Sequence, residues 1–202
     1  MVKLLEKKDG WEKYKFEELF GYTKGKKPSK LGNKEEENYL PYLSTEYLRN
    51  NGEKKFAQVT PDLAMVEDGE IILLWDGSNA GEFFKGKKGI LSSTMVKLIT
   101  KKESDKDYLF YVLKSKENFI RGQTKGTGIP HVDGTVLKAL EIPFPALPEQ
   151  KRIAEILSTV DKKLDLEKER KEKLERIKKG LMNELLTGKK RVNVERILEV
   201  GR

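Results

Sequence analysis

The 202-residue sequence has no cysteine and a single histidine, His131. Without cysteine there can be no disulfide, no thiol nucleophile and almost no structural zinc scheme. One imidazole cannot build a histidine-rich metal site. No segment approaches the roughly 18 consecutive apolar residues that a membrane-spanning helix needs. The start, Met1-Val-Lys-Leu-Leu-Glu-Lys-Lys8, lacks an apolar stretch of signal-peptide length. A cytoplasmic protein with no membrane partner is expected. Enzyme signatures are also missing. There is no Gly-x-Gly-x-x-Gly, no Gly-Lys-[Ser/Thr] and no Gly-x-Ser-x-Gly, and Gly122-Gln-Thr-Lys-Gly-Thr-Gly128 has none of these spacings. Pro61-Asp62 could open a nuclease metal site, yet no Glu-x-Lys or Asp-x-Lys follows it within the first 147 residues. No Asn-Pro-Pro-Tyr or Asp-Pro-Pro-Tyr is present to stack a flipped base for methylation. The expectation is a chain with no catalytic residue, no metal ligand and no bound cofactor.

What is abundant is charge, at 37% of residues, with a formal net charge of +8. That excess suits a polyanionic partner. It is unevenly spread: residues 1–147 carry 25 basic and 22 acidic side chains, residues 148–202 carry 16 and 11. Any nucleic-acid face on the first part must therefore be local.

The pattern changes near Pro143-Phe-Pro-Ala-Leu-Pro148, because three prolines in six residues cannot lie inside a helix. Upstream the signals are short and mixed. Gly10 to Phe20 reads as a short strand or helix entry, with Trp11, Tyr14, Phe16 and Leu19 as core candidates. Gly21 to Lys34 reads as a polar loop. Thr45 to Arg49 reads as a helical turn ended by Asn50-Asn51-Gly52. Ile71-Ile-Leu-Leu-Trp75 is a β-branched and aromatic run suited to a buried strand, followed by turn residues Asp76 to Gly81. Glu82–Lys85, Gly89–Leu91 and Thr94–Thr100 are further strand candidates. Asp107 to Phe119 looks helical, Gly122 to Gly134 is a glycine-rich loop, and Val136 to Ile142 reads as a strand. The expected fold is a mixed α/β (α+β) globular domain over 1–147, a long helix over 148–188 and a basic tail over 189–202.

The helix has a distinct period. Steps of four and three from Ile153 land on 153, 157, 160, 164, 167, 171, 174, 178, 181 and 185. Ile153, Leu157, Val160, Leu164, Leu174, Leu181 and Leu185 are apolar, and Ile177 widens the stripe. That alternation is the 3.5-residue repeat of a coiled-coil seam. Glu167, Lys171 and Lys178 interrupt it. A helix with apolar ends and a centre of both charge signs can meet its own copy antiparallel, so these eight apolar residues are the expected interface of a homodimer; the alternative is a helix folded back on its own domain.

Several polar clusters could contact DNA. Lys24, Lys26, Lys27, Ser29 and Lys30 form a phosphate-binding set, although the same composition suits a solvated loop. Trp75, Asp76, Ser78 and Asn79 put base-capable side chains at a strand end, where an ordinary Asp-Gly turn is the alternative. Ser92, Ser93 and Thr94, with Lys125, Thr127 and His131, bring small and basic residues suited to close backbone approach.

Ile142-Pro-Phe-Pro-Ala-Leu-Pro-Glu-Gln-Lys-Arg-Ile-Ala154 and its continuation to Asp161 resemble the conserved region of type I restriction–modification specificity subunits. In that family Ile-Pro-x-Pro-x-Leu-x-Glu-Gln-x-x-Ile-Ala leads from a target-recognition domain into a long helix. Leu174-Glu-Arg-Ile-Lys-Lys-Gly-Leu-Met-Asn-Glu-Leu-Leu-Thr-Gly188 is similar to the family's helix end. Gly10-Trp11 with Leu19 is similar to the opening of its recognition domains, and Gly126 to Val132 to a loop near their end. The resemblance implies a non-catalytic subunit that reads double-stranded DNA. Its partners would be methyltransferase subunits and a restriction subunit, which supply the chemistry. Family members usually carry two recognition domains and two such helices, and this sequence has one of each. Either the chain is a truncated gene product, or a homodimer restores the pair and reads a split, palindromic site, which the symmetric seam favours. The competing expectation is a coiled-coil assembly module whose α/β head binds protein.

Overall fold

A computed structural model describes residues 10–49, 53–126 and 128–193. The chain divides into two compact units, Met1–Glu155 and Ile156–Arg202.

Among the described residues, the first unit is built on three small sheets. Strand β1 (Glu12–Lys15) leads through the short helix α1 (Phe16–Leu19) into β2 (Phe20–Lys24). Helix α1 buries Phe16 and Leu19. A four-stranded antiparallel sheet has the order β2, β10 (Met95–Thr100), β7 (Ile71–Leu74) and β8 (Phe83–Lys85). Every residue of β7 is buried, as its unbroken apolar run requires.

Next to it lies a five-stranded sheet. Its order is β3 (Leu31–Gly32), β5 (Phe56–Gln58), β4 (Tyr39–Leu43), β9 (Gly89–Leu91) and β6 (Met65–Val66). Within it only β4 and β9 run parallel among the described pairings. One core cluster takes Leu43, Val66 and Leu91 from this sheet and Ile72, Leu74, Phe84 and Met95 from the other. The two sheets are thereby fixed to each other by apolar burial.

Helices close the unit. Ser44 caps α2 (Thr45–Leu48) by accepting from the Tyr47 amide. Asp105 does the same for α3 (Lys106–Arg121), accepting from the Tyr108 amide at 2.8 Å. Helix α3 buries Tyr108, Leu109, Val112, Leu113 and Ile120 on one amphipathic face.

Two segments depart from the expected pattern. Gly21–Lys24 is strand, not loop: it pairs with β10 at the edge of the sheet, where one face is wet and polar side chains are tolerated. Val136–Ile142 is not one strand. Asp133 accepts from the Thr135 amide and starts α4 (Gly134–Ala139), after which β11 (Glu141–Phe144) pairs with β1. A short apolar run cannot by itself distinguish helix from strand, and here the cap decides. The expected helix stop at Asn50-Asn51-Gly52 lies outside the described residues.

Helix α5 runs Leu147–Leu186, and its first two turns belong to the first unit. There Gln150 is fully buried. Its carbonyl accepts from the Asp105 amide at 2.9 Å and its amide donates to the Pro145 carbonyl at 2.8 Å. Trp11 donates its indole N–H to Glu149 at 3.0 Å. The Tyr108 hydroxyl donates to the Pro143 carbonyl at 2.9 Å, and burial pushes its pKa up. The Pro-Glu-Gln-x-x-Ile-Ala segment is thus a clamp: polar atoms fix the helix start, and Ile153 and Ala154 bury behind them.

The second unit is the rest of α5, closed by Gly188 at φ +72°. Val160, Leu164, Leu174, Ile177, Leu181 and Leu185 are 39–56% exposed. Ile153 and Leu157 differ, being 6% and 7% exposed. The exposed part of the apolar stripe therefore begins at Val160. Among the described residues no helix is long and apolar enough to cross a membrane.

A candidate nucleic-acid interface at one end of the four-stranded sheet

Antiparallel pairing sets the geometry. Lys24 at the end of β2 lies opposite Val96 near the start of β10, and Leu74 at the end of β7 lies opposite Met95. The exits of β2 and β7 and the entry to β10 therefore share one end of the sheet. Three segments remote in sequence meet there.

The turn after β7 is the hub. The Trp75 and Asp76 amides both donate to the Thr94 carbonyl, at 2.8 and 3.0 Å. The Gly77 amide donates to the Pro130 carbonyl at 2.9 Å, and the Val132 amide to the Trp75 carbonyl at 2.9 Å. Lys125 and His131 exchange both backbone bonds, 2.9 and 2.8 Å, which closes the glycine-rich loop between them. Lys24 reaches across from β2 to pair with Asp76 at 2.8 Å. Lys125 pairs with Asp133 at 2.6 Å, and this bond is the main cause holding the Asp133 carboxyl below its usual pKa. The backbone of β2 can press onto the entry to β10 because Gly25 has no side chain. A Cβ there would sit 2.1 Å from the Ser92 carbonyl oxygen.

The structure gathers Lys24, Trp75, Asp76, Ser78, Asn79, Ser93, Thr94, Lys125 and His131 into one region. Trp75 is half-buried, its ring 5.3 Å from that of Tyr22. Ser92 must be withdrawn as a base reader. It is buried, and its hydroxyl accepts from the Tyr42 hydroxyl at 3.0 Å and bonds Thr94. Lys26 lies 3.9 Å from Asp62, away from this network. Lys27, Ser29 and Lys30 are exposed, and among the described residues no hydrogen bond or ion pair ties them to the cluster. Thr127 lies outside the described residues.

Arg121 at the end of α3 has no distinguishing mark in the sequence and lies past the helix expected over Asp107 to Phe119. Its guanidinium donates to the Asn79 side-chain oxygen at 2.7 Å. Tyr22, exposed beside Trp75, is likewise inconspicuous in the sequence. Among the described residues no three His, Asp or Glu side chains gather as a metal would require. The region can offer cations to phosphates, and amide, hydroxyl and carboxylate groups to base edges.

Comparison with known proteins agrees with the motif. The family model of the type I restriction modification DNA specificity domain matches residues 8–176. The chain is 52% identical over 180 residues to the type I restriction enzyme MjaVIII specificity subunit of Methanocaldococcus jannaschii, covering 89% of this chain and 42% of that protein. A second protein of that organism, the putative MjaX specificity subunit, is 32% identical over 202 residues, covering 91% and 42%. The chain thus spans less than half the length of these relatives. Among solved structures, the type I restriction–modification S subunit from M. genitalium superposes with a TM-score of 0.61 at 25% identity, covering 90% of this chain and 46% of that one. The HsdS subunit from Thermoanaerobacter tengcongensis gives 0.60 at 17% identity, covering 89% and 45%, and supports the fold. By its sequence and its fold, the chain belongs to the type I restriction–modification DNA specificity family.

Proposed function

We propose that this chain is the DNA-reading and docking component of a type I restriction–modification complex, with one recognition domain (1–147) and one conserved helix (148–188). The observation that carries the reading is the convergence of Lys24, the 75–79 turn, Thr94, Lys125 and His131 at one sheet end, in a chain of the specificity family. Lysines there contact phosphates and set position, while side chains of the turn read base edges. The chain holds no catalytic residue and binds no cofactor of its own. Methyltransferase and restriction subunits bring the chemistry, in the cytoplasm.

A second copy completes the site. The free stripe from Val160 to Leu185 is too apolar to face water alone, and its mixed-charge centre pairs with its own image when two helices run antiparallel. Two recognition domains then read two half-sites related by a two-fold axis.

Duplex binding as a function of salt tests the reading. The chain should bind with a steep salt dependence, and changing Lys24 and Lys125 to Ala should flatten the slope by up to about 0.9 for each phosphate left without its lysine. Salt-independent binding, or none, would favour a head that recognises protein.

A further inference from the structure

The turn that follows β7 is held from two sides. Lys24 on β2 takes Asp76, and Arg121 on α3 takes Asn79. The second of these bonds has the more informative chemistry. A guanidinium only donates. Asn79 must therefore present its oxygen to Arg121 and carry its amide nitrogen on the other branch, so the rotamer choice usual for asparagine is removed. The backbone supports this arrangement. Gly81, at φ +98°, lies so close to the end of α3 that a Cβ would sit 2.9 Å from Arg121 Cγ and 3.1 Å from the Arg121 amide nitrogen. The Ala80 amide donates to the Gly77 carbonyl, and the Glu82 amide to the Asn79 carbonyl, which rigidifies the turn around the side chain. Asn79 itself is half-buried, so part of its side chain stays open to a ligand.

We propose that Arg121 is a positioning residue for sequence readout: it fixes Asn79 as a hydrogen-bond donor toward an acceptor on a base edge, such as purine N7 or O6 or thymine O4. Arg121 acts through Asn79 and leaves the phosphates to the lysines. This rests on the DNA-reading role proposed above. A residue used for phosphate binding and one used for positioning leave different traces. Removing a phosphate-binding charge weakens all sequences alike and lowers the salt slope, whereas removing a positioned donor relaxes one base position and leaves the slope intact.

The test is selection of bound duplexes from a randomised library by the full chain, beside R121M, R121K, N79A and the R121M/N79A pair, each checked for cooperative unfolding. R121M and N79A should relax the same base position in each half-site, by about tenfold against the preferred base. The double variant should lose no more than either single one, since the two act as one unit. R121K, which keeps a donor, should recover part of the preference. Relaxation at different positions, an additive double variant, or a salt slope lower by about 0.9 in R121M would overturn the assignment. So would unchanged preferences in R121M. If the wild-type chain itself selects no sequence, the DNA-reading role falls and the assignment with it. Wild-type selection with an indifferent Arg121 removes the assignment alone.

Discussion

Gln150 is wholly enclosed and both ends of its amide are used, one by the Asp105 amide and one by the Pro145 carbonyl. Replacing it with Ala leaves the part-buried Asp105 amide at the start of α3 without its acceptor and the Pro145 carbonyl without its buried donor. The expected cost is about 1–3 kcal/mol, read as a lower denaturant midpoint with an unchanged slope. A midpoint equal to wild type would mean that this amide does not clamp the helix start. Asp133 makes a second residue-level case. It accepts from Lys125 and from the Thr135 amide, and its pKa is lowered chiefly by the lysine. A depressed carboxyl contributes stability that is complete above its unfolded value near 4, and that stability fades as pH falls through the folded value. As pH falls from about 5, the wild type should therefore lose stability more steeply than Asp133→Asn. Parallel curves would show that the Lys125 pair is energetically silent.

Elements with their own period are legible in the sequence. Strands β7 and β10, helix α3 and helix α5 follow from an apolar run, a β-rich run, an amphipathic face and a seam repeat. The two- to five-residue strands β3, β4, β5 and β6 are not, because each carries too little apolar patterning to stand out and exists only through partners far along the chain. The candidate site divides the same way. Its residue types are recognisable, but Lys24, Asp76 and His131 meet only through strand register and an isolated bridge, which no local pattern specifies. Ser92 resembles a reader in the sequence because burial is invisible in a loop-like triplet. Ile153 and Leu157 are only 6% and 7% exposed, so the interface is best tested at residues further along the helix. Leu174 and Leu181 are 56% and 50% exposed and free to mate. Changing both to Asp puts unpaired charges into a dry seam, at a cost of several kcal/mol. Sedimentation should then report monomers with the first unit still folded, and undiminished dimers would exclude this stripe as the interface.

At the scale of the whole molecule, the chain matches 42% of relatives more than twice its length, and the proposed function gives it one recognition unit. A reader with a single unit covers one short half-site, whereas two copies joined by their helices cover two with untouched base pairs between them. Symmetry of the protein then dictates symmetry of the DNA. The most direct measurement is the consensus that the wild-type chain selects from a randomised duplex library, with the mass of the bound complex determined alongside. The expected consensus is an inverted repeat of two identical half-sites separated by a fixed spacer, bound by two copies of the chain. A single unrepeated half-site bound by one copy, or two unlike half-sites, would contradict it.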